Sequence, residues 1–136
     1  MFELLEHTAD IGFRVRARSR AELFEAAAEA LISVAFEVEP VEPRHRYALE
    51  AGGHDAESLL INWLSEVLYL WDARRLALRD FRVRELTAER VAGEARGEPF
   101  DPARHRAKLV VKGVTYHQLR TGEDEQGWYA QVFLDV

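Results

Sequence analysis

Cysteine is absent from the 136 residues. That excludes a disulfide framework, thiol catalysis and any thiolate-held metal, so a cation here must be held by oxygen or imidazole. Lysine is scarce: Lys108 and Lys112 are the only two, and arginine carries almost all the positive charge. Base composition or temperature explains that bias as readily as function does. No apolar run approaches the roughly 20 residues of a membrane span. The opening MFELLEHTAD is acidic and lacks the basic and apolar regions of a secretory leader, so a cytoplasmic protein is expected. There is also no phosphate-binding glycine loop, paired-histidine helix motif, GxSxG elbow or twelve-residue calcium loop. The usual marks of a stand-alone enzyme are therefore missing.

What is present is globular in character. Hydrophobic residues make up 48% and charged residues 31%, enough apolar material for one core in a single domain spanning residues 1–136. The net charge of -6 weighs against broad affinity for nucleic acid and favours protein or metal partners. Local basic stretches such as RVRARSR remain able to touch phosphate.

Periodicity then assigns the elements. Phe13, Val15 and Ala17 alternate with Arg14, Arg16 and Arg18, a strand with one buried and one wet face. Ser19 with Glu22 three residues on forms a capping signature, and Leu23, Ala27, Leu31 and Val34 share a side. A helix from Arg20 to Phe36 follows. Pro40 and Pro43 stop it. RHRYALEA reads as a strand and GGHD as a turn into a second helix capped near Asp55. On that helix Leu60, Trp63, Leu64, Val67, Leu68 and Trp71 recur at three- and four-residue steps, the centre of a core. From Leu76 onward LALRDFRVREL, RVAGEARGE, AKLVVKGVTYHQLR and WYAQVFLDV read as strands, the last two forming a hairpin around TGEDEQG. Two helices with six or seven mostly antiparallel strands imply an α+β layered domain.

Four places could carry chemistry. Asp10 stands just ahead of Gly12 at a strand junction, as either a metal ligand or a turn residue. His7, three residues earlier, is a ligand, a base, a partner that orients Asp10, or simply structural. At the other end Asp135 adjoins Val136, whose carbonyl and α-carboxylate add oxygen donors, unless that end is frayed and solvated. If the final strand ran beside the first, Asp10, Asp135 and Val136 would surround one cation with hard donors suited to calcium or magnesium. In KGVTYH a regular strand puts Lys112, Val114 and Tyr116 on one face and His117 on the other, with Tyr116 in the core. GEPFDPARHRAK carries Arg104, His105, Arg106 and Lys108 as a solvated loop or as a contact for phosphate or an acidic partner.

Five segments in order, EHTADIGFRV, LLINWLSEVLYLWD, GEPFDPARH, KGVTYH and the terminal VFLDV, together resemble the archease family over essentially the whole chain. Gly113 replaces a common alanine and Phe13 a usual aliphatic residue, neither of them a proposed ligand. The resemblance implies a small cytoplasmic, non-catalytic activator of the RtcB-type RNA ligase. It would promote guanylylation of the ligase by GTP and multiple turnover in tRNA splicing or RNA repair, and meet RNA indirectly through the ligase. It also implies a metal site at Asp10, Asp135 and Val136, with calcium expected and magnesium or another divalent cation as the alternative. His7, Lys112 and His117 would support the site or touch the partner. Two rival readings remain. One is a metal-dependent phosphoesterase with His7 as base. The other is an RNA-binding module using Arg14, Arg16, Arg18 and residues 104–108.

Overall fold

Alternation of apolar and charged residues turns Phe13 and Val15 inward and Arg14 and Arg16 outward on strand β2 (Asp10–Ala17), and the rest of the architecture is arranged about that inner face. The computed structural model describes the backbone of residues 2–7 and 10–136 and the side chains of residues 2–4 and 10–136. Around β2 lie β1 (Phe2–His7), β6 (Gly113–Asp124) and β7 (Gly127–Asp135), and a second group is formed by β3 (His45–Gly52), β4 (Leu76–Leu86) and β5 (Arg90–Pro99). The strand orders are β1-β2-β7-β6 and β3-β5-β4, and every pairing is antiparallel. With helices α1 (Arg20–Ala35) and α2 (Ala56–Asp72) this is the expected α+β class.

The helices are the layer shared by the two sheets. Helix α1 packs on β2 and β4, and α2 on β3 and β6. Trp63, Phe13, Phe24, Phe36 and Phe81 fill the space between them and are fully buried. The indole of Trp63 donates to the Phe24 carbonyl at 3.0 Å, so the largest core side chain is buried without an orphaned donor. Both starts are capped as the sequence implies. Ser19 Oγ accepts from the Glu22 amide at 3.1 Å, and Asp55 and Ser58 form a reciprocal capping box at α2. No helix among the described residues is long and apolar enough to cross a membrane.

Two segments depart from the periodic reading. Phe2–His7, given no element in the sequence, is the edge strand β1. AKLVVK, expected to open a strand, instead crosses the end of α1, and β6 starts only at Gly113. The reason lies in four carbonyls that the last turn of any helix leaves without intrahelical partners. Phe36 N donates to Ile32 O at 2.9 Å, Lys108 N to Ala35 O at 2.8 Å and Leu109 N to Val34 O at 3.2 Å. Lys108 Nζ completes the set at Ser33 O, 2.7 Å away. The strap satisfies the helix end, and this outweighs local strand propensity.

The basic stretch beside the strap is an exposed loop except at His105, which is buried. Glu98 on β5, 3% exposed, accepts from Arg104 Nη2 at 2.6 Å, from the Glu42 amide at 2.8 Å and from His105 Nε2 at 2.8 Å. The Asp101 amide donates to His105 Nδ1 at 2.8 Å, so the ring proton sits on Nε2 and is given to Glu98. Arg104, still 38% exposed, supplies the counter-charge and buried His105 a hydrogen bond to this one carboxylate, so both are engaged within the fold, which corrects the expectation that they face phosphate or a partner. Chiefly the Arg104 hydrogen bond, helped by the Glu42 amide and His105 and opposed by burial, holds the Glu98 carboxyl down at about 2 against an ordinary 4.5. A carboxyl lowered by folding stabilises above its unfolded value and loses that contribution as pH falls toward its folded one. Urea unfolding should therefore show stability falling from about pH 4.5 to 2. Glu98→Gln should cost about 2–4 kcal/mol at pH 7 and flatten that acid limb.

Candidate metal centre

Strand β7 lies directly against β2 in the register Asp10↔Asp135, Gly12↔Phe133, Arg14↔Gln131. Facing residues of an antiparallel pair project from the same side, with Cβ atoms roughly 5 Å apart. The next pair along, Ile11 and Leu134, packs into the core, so Asp10 and Asp135 share the outer face. The juxtaposition of first and last strands inferred conditionally from the sequence is thus present. On the far side of β7 the same row ends at Gly113, opposite Asp135, where a Cβ would meet nothing within 4 Å. The carboxylate row is open on that flank. Lys112, exposed, donates its amide to Asp135 O at 2.7 Å and so fixes the strap to the end of β7. Val136 packs against the core.

One row further along, Phe133 lies across Gly12. A Cβ on Gly12 would come within 2.7 Å of Phe133 Cε1 and 2.8 Å of Cδ1. The glycine that follows Asp10 at the strand junction is needed because an aromatic ring occupies its side-chain space. Thr115 Oγ1 donates to Phe133 O at 3.0 Å, and the His117 ring meets Phe133 edge-on at 5.9 Å and 66°. Beyond Thr115, β6 loses register until Arg120. Gln118 adopts φ 51° there, and its carbonyl accepts from Gln131 Nε2 at 2.9 Å. This bulge breaks the even spacing that grouped Lys112, Val114 and Tyr116. Lys112 precedes the strand, and Tyr116 is 57% exposed rather than part of the core.

The sites expected from sequence thus separate. Asp10 and Asp135 meet, and Val136 and Lys112 stand beside them. His117 belongs to the Phe133 row. His7 pairs with Asp10 in backbone register, and its side chain lies outside the described residues. Among the described residues no three His, Cys, Asp or Glu side chains form a metal-holding group. A cation would therefore rest on two carboxylates plus main-chain or terminal oxygen. Such an all-oxygen, open donor set fits calcium or magnesium in kind. Arg16, offered by the sequence as a phosphate contact, is held by Asp124 at 2.9 and 3.0 Å.

Fold and site together define a small α+β protein with a helical layer between two antiparallel sheets and an open carboxylate pair where its first and last segments meet. The chain belongs to the archease protein family, whose sequence profile matches residues 2–136. It is 38% identical over 138 residues to the archease of Methanopyrus kandleri, with 99% of each chain covered. The solution structure of protein 1598 from Methanobacterium thermoautotrophicum superposes with a TM-score of 0.81 at 29% identity, covering 99% of this chain and 98% of that one. The crystal structure from Thermotoga maritima of an archease described as a possible chaperone shares the fold, with a TM-score of 0.68 at 19% identity and 97% and 94% coverage.

Facing carboxylates repel when nothing lies between them. In buffer stripped of divalent cations, Asp10→Asn and Asp135→Asn should each raise unfolding stability by about 0.5 kcal/mol, measured by urea titration. The double variant should gain less than the sum, because the first substitution already removes the repulsion.

Proposed function

We propose that this chain is a non-catalytic activator of an RtcB-type RNA ligase, promoting guanylylation of the ligase with GTP and its multiple turnover. The observation that carries this reading is the directly opposed pair Asp10 and Asp135 in a member of the archease family. In this reading Asp10, Asp135 and the carboxylate of Val136 hold a divalent cation, calcium first among them. When bound, the cation neutralises the facing carboxylates and presents open coordination positions to oxygen ligands. Lys112 and His117 flank the docking surface. Val110 and Tyr116, 71% and 57% exposed, offer it apolar contact. Docking favours the ligase conformation competent to react with GTP, a shift of population rather than chemistry by this chain.

Multiple-turnover ligation by the cognate ligase with GTP tests the reading. The wild-type protein should stimulate turnover, while Asp10→Asn and Asp135→Asn should lose both that stimulation and the rise in melting temperature on adding calcium. Residues appended after Val136 should weaken calcium binding, and the same residues placed before Met1 should leave it unchanged. Absence of stimulation by the wild type would overturn this reading, and hydrolysis of a model phosphodiester by the purified chain alone would replace it with that of a small metal-dependent phosphoesterase.

A further inference from the structure

The outer face of the β3-β5-β4 sheet carries a feature that local sequence does not reveal. In register, Arg46 on β3 faces Arg96 on β5, and Arg96 faces Arg79 on β4. Three guanidinium side chains thus originate side by side in one row across three strands. Like charges directly opposite one another destabilise a sheet. The neighbourhood compensates only in part. Arg46 and Arg84, 63% and 62% exposed, share Glu94 at 3.7 and 3.5 Å. Arg79 meets Asp80 at 3.3 Å and donates to Val41 O at 2.6 Å. The central residue, Arg96, is exposed and no carboxylate among the described residues is paired with it. On this face Arg46, Arg84 and Arg96 therefore stand against Glu94, Arg79 is half-buried and tied down at Asp80 and Val41, and Glu98, two residues from Arg96 on the same side of β5, is taken up by Arg104 and Arg44. Ala48 and Ala92, on the same face, keep the surface between the arginines low and open.

We propose that this face binds the phosphate backbone of RNA. Strands lie about 4.8 Å apart, so the outer two arginines of the row are rooted about 10 Å apart. A nucleic-acid strand carries one phosphate per nucleotide, and Arg46 and Arg96, the two exposed members of the row, are rooted one strand spacing apart, within reach of adjacent phosphates. The planar fork of each guanidinium suits the paired oxygens of a phosphate. The row offers no aromatic platform for bases, so the contact reads backbone charge and not sequence. Choosing RNA as the strand rests on the ligase reading above. The charge geometry does not, and the test needs neither ligase nor metal.

Fluorescence anisotropy of a labelled single-stranded 20-nucleotide RNA, titrated with this protein in EDTA from about 50 to 200 mM salt, decides the matter. The wild type should bind with an affinity that falls steeply with salt. The double variant Arg46→Gln/Arg96→Gln should bind at least tenfold more weakly at the lowest salt, and the slope of log affinity against log salt should drop by about 1.4, about 0.7 for each phosphate no longer neutralised. Arg14→Gln/Arg120→Gln, on the opposite sheet, removes the same net charge and should bind as the wild type does. Melting temperatures should not fall in the row variant, since it relieves repulsion. Absence of binding at 50 mM salt, equal weakening by both double variants, or displacement of the RNA by polyglutamate at equal charge concentration would overturn the proposal.

Discussion

The antiparallel pairing of β2 with β7 is the contact on which the other features depend. It joins residues 10–17 to residues 128–135 and places the two central strands of the larger sheet side by side. Phe13, Val15, Val132 and Leu134 all reach the core through it. Because side chains alternate, a slip of β7 by one residue would carry its apolar set outward and Asp135 inward, away from Asp10. Phe133 and Gly12 guard against that slip: the ring fits only where its partner has no side chain. The carboxylate pair at the end of the ladder is thus positioned by packing two residues away.

The two sheets turn like-charged rows to solvent, one anionic and one cationic, with the helical layer between them. Each row opposes the stability of the sheet that bears it, and in each the local counter-charges are incomplete. Glu98 shows the contrasting case. There a single buried carboxylate gathers a guanidinium, an imidazole and a backbone amide until nothing remains for a ligand. An ionised group that its own fold satisfies this fully is structural. A charged row that the fold leaves uncompensated has capacity for something outside.

Much of this was legible in the sequence wherever the chain obeyed one period. The helices, their Ser19 and Asp55 caps and the inward face of β2 follow from spacing alone. So did the oxygen donors at both ends, once the end strands were supposed adjacent. Readings failed where a distant group overruled the local pattern. The strap at 107–112 left strand geometry to satisfy the carbonyls of α1. The bulge at Gln118 dissolved the even spacing around Tyr116. Arg104 and His105 read as a basic surface because nothing nearby in sequence shows that Glu98 is buried against them. The arginine row is invisible for a related reason: Arg46, Arg79 and Arg96 become neighbours only through register.

The distance along the chain between β2 and its partner also governs how the molecule comes to be folded. Arg14 and Gln131, hydrogen-bonded at 2.9 Å, are 117 residues apart. Loop-closure entropy must be overcome before that pairing returns any stability, and topologies dominated by such contacts fold slowly. The β4–β5 hairpin, by contrast, can assemble from adjacent sequence. During synthesis the inner face of β2 therefore lacks its strand partner until residues Gly127–Asp135 have been made, and the carboxylate pair forms no earlier than that strand.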